Sequence, residues 1–261
     1  MLHAPKIRVY VHATCYSSYS LVKYLIGKGL TGGINIVDVS RASEVDGAIL
    51  SVPWVKLGST VAAADPVSGE EVEAMIQGSY TPNIRDPLES FIKTLLASSY
   101  ASSIAFLHGD LGYAAFRELA EASLRAPFTN QDVTGLMETV KRDGKGLYEE
   151  LEFKLAKVIA INYVRDLYWA SGGTLDSEGL ERRVDETSIL AWLIAKAGVG
   201  RVGLPGNPLV AINREGVKLL SSILESEGSK ILAGVRREQE AILGDVAYIS
   251  FLEVLGFRIK A

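Results

Sequence analysis

Hydrophobic and polar positions follow two rhythms along this chain, and the change between them comes near residue 80. In KIRVYVH (6–12), β-branched apolar residues alternate with polar ones, the period of a strand. YSSYSLVKYLIGKG (16–29) then puts Leu21, Tyr24 and Leu25 on one helical face and closes on glycines, a helix stop. GINIVDVS (33–40) reads as a second strand, SEVDGAIL (43–50) as a short helix, and WVKLG with STVAAA (54–64) as a hairpin. SGEEVEAMIQG (68–78) reads as a helix opened by Ser68, with Glu71 at the spacing of a capping box. A parallel strand–helix–strand connection of this length is right-handed, which fixes much of the topology.

TPNIRDP, with its prolines, Asn and Asp, marks a linker near residues 79–87. Beyond it the period is 3.6 almost throughout. Helices are expected over 86–107, 113–124, 129–142, 147–170, 181–198 and 216–226, with a last one within 241–257. Seven such segments predict a bundle-like all-α domain. The expected division is therefore an α/β domain over 1–80 and a larger helical domain over 81–261.

Composition narrows the classes. The chain has 261 residues, 48% of them hydrophobic and 22% charged, enough to bury a sizeable core. A net charge of −4 gives no electrostatic reason to expect nucleic acid as partner. No apolar run reaches the ~18 residues of a membrane span, and the N-terminus has no signal-peptide core. The single cysteine, Cys15, cannot form an internal disulfide, so a reducing, cytoplasmic setting is expected. His3 and His108 fit no ligand spacing, and no intrinsic metal site is expected.

Cys15 stands between the first strand and the helix that follows. Unpaired N–H groups and the positive end of the dipole at a helix N-terminus favour an anion such as a thiolate. His12, three residues earlier, can supply a cation when protonated, and Ser18 a hydrogen bond to the sulfur. The plain alternative is a buried structural cysteine. Pro53, preceded by β-branched Val52, suits the start of a strand.

This set of features resembles the thioredoxin fold, and within it the glutaredoxin-like branch: a strand, Cys-x-x-Ser at a helix start, a strand, a short helix, Val-Pro, a hairpin and a helix. HATCYSS (12–18) is similar to the glutaredoxin stretch with a basic residue three before, and a Thr one before, the reactive cysteine. The resemblance implies that Cys15 is the nucleophile, with His12 and Ser18 beside it in the catalytic group. Ser18 replaces a second cysteine, which makes this a monothiol variant. It also implies that Thr14, Tyr16, Val52, a cis Pro53 and Asp65 contact the substrate. Asp65 matches the acidic residue that takes the glutathione amine. Tyr16 stands in place of the usual Pro or Gly, and Ala62-Ala63-Ala64 in place of the Gly-Gly turn. Fusion to a helical domain is similar in layout alone to glutathione S-transferases.

The activity implied is monothiol exchange with a disulfide-bearing protein or small thiol, with glutathione or another small thiol as co-substrate, no bound cofactor, and a homodimer as one arrangement. A transferase-like thiol-binding protein, an interaction module with an inert Cys15, and an iron–sulfur carrier stay open beside it. GLPGNP (203–208) is similar to a substrate loop of molybdopterin molybdotransferases, but reads more simply as an interhelical loop with Pro208 opening a helix. Tyr163, Tyr168, Trp169 and Trp192 lie at helical spacings among aliphatic residues, the pattern of a core.

Overall fold

Four strands and ten α-helices are described by the computed structural model, which covers residues 7–40, 49–199 and 212–257. His3, most of the helix expected over 43–50, and the GLPGNP loop with Pro208 lie outside these residues. The strands are β1 (Ile7–Val11), β2 (Ile34–Asp38), β3 (Trp54–Leu57) and β4 (Thr60–Ala64). They form one mixed sheet in the order β2-β1-β3-β4. β1 and β2 are parallel, with Val9 opposite Ile36, whereas β3 is antiparallel to both β1 and β4. The small α/β sheet and the largely helical remainder agree with the two rhythms of the sequence.

Helix α1 (Tyr16–Gly27) and helix α2 (Gly69–Gln77) bury Leu21, Val22, Leu25, Val72 and Met75 against Val9, Val11 and Val55 of the sheet. Aliphatic side chains of this kind contribute roughly 1.5–3 kcal/mol each when fully buried. The capping box is present in full: Glu71 N–H donates to Ser68 Oγ (3.1 Å), and Ser68 N–H to Glu71 Oε2 (2.9 Å). Gly78 ends α2 in the left-handed region (φ 69°), where a side chain would be strained.

Downstream, the helices are α3 (Pro87–Ala97), α4 (Ser99–His108), α5 (Arg117–Leu124), α6 (Val133–Ala170), α7 (Ser177–Glu181), α8 (Glu186–Val199), α9 (Arg214–Leu243) and α10 (Val246–Val254). Two sequence expectations are corrected here. The single helix expected over 86–107 breaks at Ser98, whose hydroxyl accepts from Ala101 N–H (3.1 Å) and starts α4 afresh. Conversely, the break expected at Asp143-Gly144-Lys145-Gly146 is absent, and α6 runs through it for 38 residues.

The chain forms two compact units that do not follow one another in sequence. Described residues within 1–94, 117–136 and 239–261 make up one, and those within 95–116 and 137–238 the other. The first therefore includes the sheet, α5 and, from the far end of the chain, Ile242, Tyr248, Leu252 and Phe257, which join the core beneath α1. In the second, Trp192 Nε1 and Lys196 Nζ both donate to Asp166 Oδ2 (3.0 and 2.8 Å), and the Tyr163 ring, buried in the core, meets the Trp192 ring edge-on. Tyr168 and Trp169 are half-buried. Among the described residues no helix is long and apolar enough to cross a membrane.

Candidate functional site

β1 ends at Val11, and four residues, His12 to Cys15, turn the chain into α1. Cys15 is the N-cap residue of that helix, with extended backbone (φ −83°, ψ 124°), and its own amide closes a turn onto the His12 carbonyl (3.1 Å). No side chain caps α1, and no acidic residue occupies its first turn. The field of the helix terminus is thus left for whatever anion occupies this position.

Cys15 is half-buried, and its thiol donates to the Val52 carbonyl (3.3 Å). Val52 precedes Pro53 through a cis peptide bond. Two expected site segments, 12–18 and 52–53, are therefore brought together although 37 residues separate Cys15 from Val52. The Pro53 carbonyl accepts from Asp65 N–H (3.0 Å), which ties the end of β4 to the same strand start. These contacts place opposing influences on the sulfur. The Val52 carbonyl favours the protonated thiol, and the helix terminus favours the thiolate.

The other expected residues take definite places. Tyr16, 43% exposed, is the first residue of α1, and its ring lies 5.7 Å from that of Tyr19. Ser18 is fully buried, and its hydroxyl accepts from His12 N–H (3.3 Å), fixing the base of the loop. The His12 ring folds back on Thr14: Nδ1 accepts from Thr14 N–H (3.4 Å) and lies 2.9 Å from Thr14 Oγ1. An amide N–H can only donate, so this arrangement puts the ring proton on Nε2.

Two residues that sequence patterns gave no reason to choose complete the loop. Tyr248 O–H donates to the Ala13 carbonyl, and Gln239 Nε2–H to the Thr14 carbonyl, each at 3.1 Å. Both side chains are buried, and Gln239 Oε1 has no hydrogen-bond partner. Its amide orientation is set by the Thr14 carbonyl, since the reverse would face oxygen with oxygen. Burial pushes the Tyr248 phenol up, and negative charge at Cys15, Tyr19 and Asp38 adds to this. The phenol is held as a neutral donor.

α10 is anchored in turn by Asp245, its N-cap. Asp245 Oδ1 accepts from Tyr248 N–H (3.1 Å), and Oδ2 accepts from Tyr19 O–H (3.0 Å) and Lys23 Nζ (2.8 Å). The Lys23 hydrogen bond, followed by that from Tyr248 N–H, lowers the carboxyl from its ordinary 3.8 to about 2. A carboxyl lowered by folding contributes stability above its unfolded value and loses it as pH falls through the folded one. The stability gap between the protein and Asp245→Asn is therefore expected to close between pH 3.8 and about 2. Urea midpoints across that window check this, and a gap that persists down to pH 2 would refute the linkage.

Among the described residues no group of three His, Cys, Asp or Glu side chains is placed to hold a metal ion. No protein-family model matches the chain, and searches of curated proteins and of solved structures find no match.

Proposed function

We propose that the protein exchanges thiols with disulfides through Cys15, on a thioredoxin-like scaffold formed by residues 7–78. The observation that carries this reading is the meeting of Cys15, at an uncapped helix N-terminus, with the carbonyl of the residue before a cis proline. The order of strand, Cys-x-x-Ser helix, strand, cis Pro53, hairpin and helix supports the scaffold.

The step balances without any oxidant. The Cys15 thiolate attacks one sulfur of a disulfide, a new S–S bond forms, and the other sulfur departs as a thiolate that takes a proton from solvent. Ser18 cannot resolve the mixed disulfide. A small thiol from solution attacks it instead, leaving as half of the released disulfide and restoring the Cys15 thiolate. In the resting thiol, Val52 holds the proton. On ionisation the sulfur turns from that carbonyl toward the N–H groups of the first turn, which frees the Val52 carbonyl for a backbone N–H of the substrate.

Alkylation of Cys15 by iodoacetamide between about pH 4 and about pH 10 tests this, since rate follows the thiolate fraction and a free cysteine titrates near ~8.5. The native protein is expected to show an inflection below the free value that returns to it in denaturant. Cys15→Ser is expected to abolish both alkylation and turnover of a mixed-disulfide substrate. A native thiol that reacts only after unfolding would sink the proposal.

A further inference from the structure

The loop that presents Cys15 is held from above by residues more than 220 positions away in the chain. Ala13 and Thr14 supply the two carbonyls that precede the cysteine. Each accepts one hydrogen bond from the C-terminal segment, from Tyr248 and Gln239 respectively. Those donors cannot relax away. Tyr248 is 1% exposed and meets the Tyr19 ring edge-on at 5.0 Å, while Tyr19 belongs to the helix that Cys15 caps. Gln239 is fully buried in the last turns of α9. Asp245 then binds α10 back onto α1 through Tyr19 and Lys23. Loop and helix are thus clamped together by one short stretch, 239–248.

The arrangement also has an electrostatic sense. Carbonyl oxygens turned toward a neighbouring sulfur oppose its negative charge, and a donor on each carbonyl draws that oxygen away and offsets its partial charge. We infer that Tyr248 and Gln239 are positioning residues of the cysteine site, which hold the Ala13 and Thr14 carbonyls and so fix the geometry in which Cys15 ionises. This rests on the thiol-exchange reading of Cys15 and adds the element that sets the competence of its loop. The titratable groups facing this loop are His12 within it, Tyr19 from α1, Asp38 from β2 and Tyr248 from α10, with Lys23 and Asp245 one contact further out.

The test is the pH profile of Cys15 alkylation by iodoacetamide in Tyr248→Phe and Gln239→Leu, each of which removes one donor and keeps the side-chain bulk. Leu252→Ala, a core truncation in α10 that touches no hydrogen bond to the loop, serves as control. Thermal unfolding of all the variants is followed in parallel. The inflection is expected to rise by about half a unit or more in Tyr248→Phe and Gln239→Leu, and to stay in place in Leu252→Ala even where that variant is the less stable. If Tyr248→Phe fails to fold, Gln239→Leu alone decides. A profile unchanged in both donor variants, or shifted equally in Leu252→Ala, overturns the inference. An ordinary thiol profile in the unsubstituted protein, still raised further by losing either donor, would remove the redox reading and leave the positioning role intact. An ordinary profile unmoved by either substitution would remove both.

Discussion

Alanine in place of Gly144 is expected to destabilise the protein by about 2 kcal/mol, although alanine is the better helix former by about 1 kcal/mol. Gly144 lies inside α6, buried where the 111–114 turn crosses the helix. A Cβ there would stand 2.3 Å from Asp110 Oδ1, 2.4 Å from the Gly112 amide nitrogen and 3.0 Å from Gly112 Cα. Those first two atoms are themselves partners, since Gly112 N–H donates to Asp110 Oδ1 (2.7 Å). The methyl group would have to displace backbone or break that turn, and no side-chain rotation relieves it. Gly146, two residues on, is exposed and would meet nothing within 4 Å. Gly146→Ala is expected to stabilise by up to about 1 kcal/mol from propensity alone. Urea unfolding of the two variants should therefore give midpoints on opposite sides of the unsubstituted protein. Equal shifts would mean that α6 and the turn do not approach this closely.

Replacing Arg125 by Met is expected to cost about 2 kcal/mol, less than breaking a fully buried pair because the Glu71 side chain is 29% exposed. The guanidinium, 8% exposed, donates to the Ala122 carbonyl (2.7 Å), to the Pro66 carbonyl (2.8 Å) and, through Nε and Nη2, to Glu71 Oε1 (3.3 Å each). It joins the end of α5, the start of α2 and the segment after β4. Burial would raise the Glu71 carboxyl. Arg125's charge, with hydrogen bonds from Tyr80 and Ser68 N–H, outweighs burial and holds it below its ordinary 4.5. Tyr80 pays the complementary shift and is pushed up to about 12, first by burial and then by its bond to Glu71. Arg125 already has a left-handed backbone (φ 53°), a strain Met would share, so the comparison isolates the side chain. Because Glu71 is lowered by folding, its contribution exists at neutral pH and fades in acid. The Arg125→Met penalty is expected to shrink as pH drops below 4.5, and Arg125→Lys to recover part of it. Denaturant titrations at pH 7 and in acid measure both. A penalty under about 1 kcal/mol at pH 7 would show the pair to be ornamental.

How far the sequence reveals the molecule depends on the range of the interactions involved. β1, α1, the 54–64 hairpin and the Ser68–Glu71 box are written in neighbours one to four residues apart, and all are present. Cys15 stands out for the same reason, at a junction between two strong periodicities. Gly144 and Gly146 mislead because glycine looks alike whether it ends a helix or admits a crossing backbone; only Gly112 distinguishes the cases. The helix expected within 241–257 is present as α10, and Asp245 caps its start. That its Tyr248, and Gln239 before it, reach Ala13 and Thr14 is a pairing across more than 220 residues, with no local pattern to mark it.

That long-range pairing has a consequence for how the chain is made. Translation delivers Cys15 more than 220 residues before the segment that clamps its loop, and domains tend to fold as their residues emerge. On the ribosome, β1 and α1 therefore wait without Ile242, Tyr248 and Leu252, with part of their apolar core uncovered. A nascent chain that stalls before Gln239 exposes a cysteine on an unfinished surface, open to oxidation and to chaperones alike. Synthesis of residues 239–248 is then what brings the sulfur under the control of the fold.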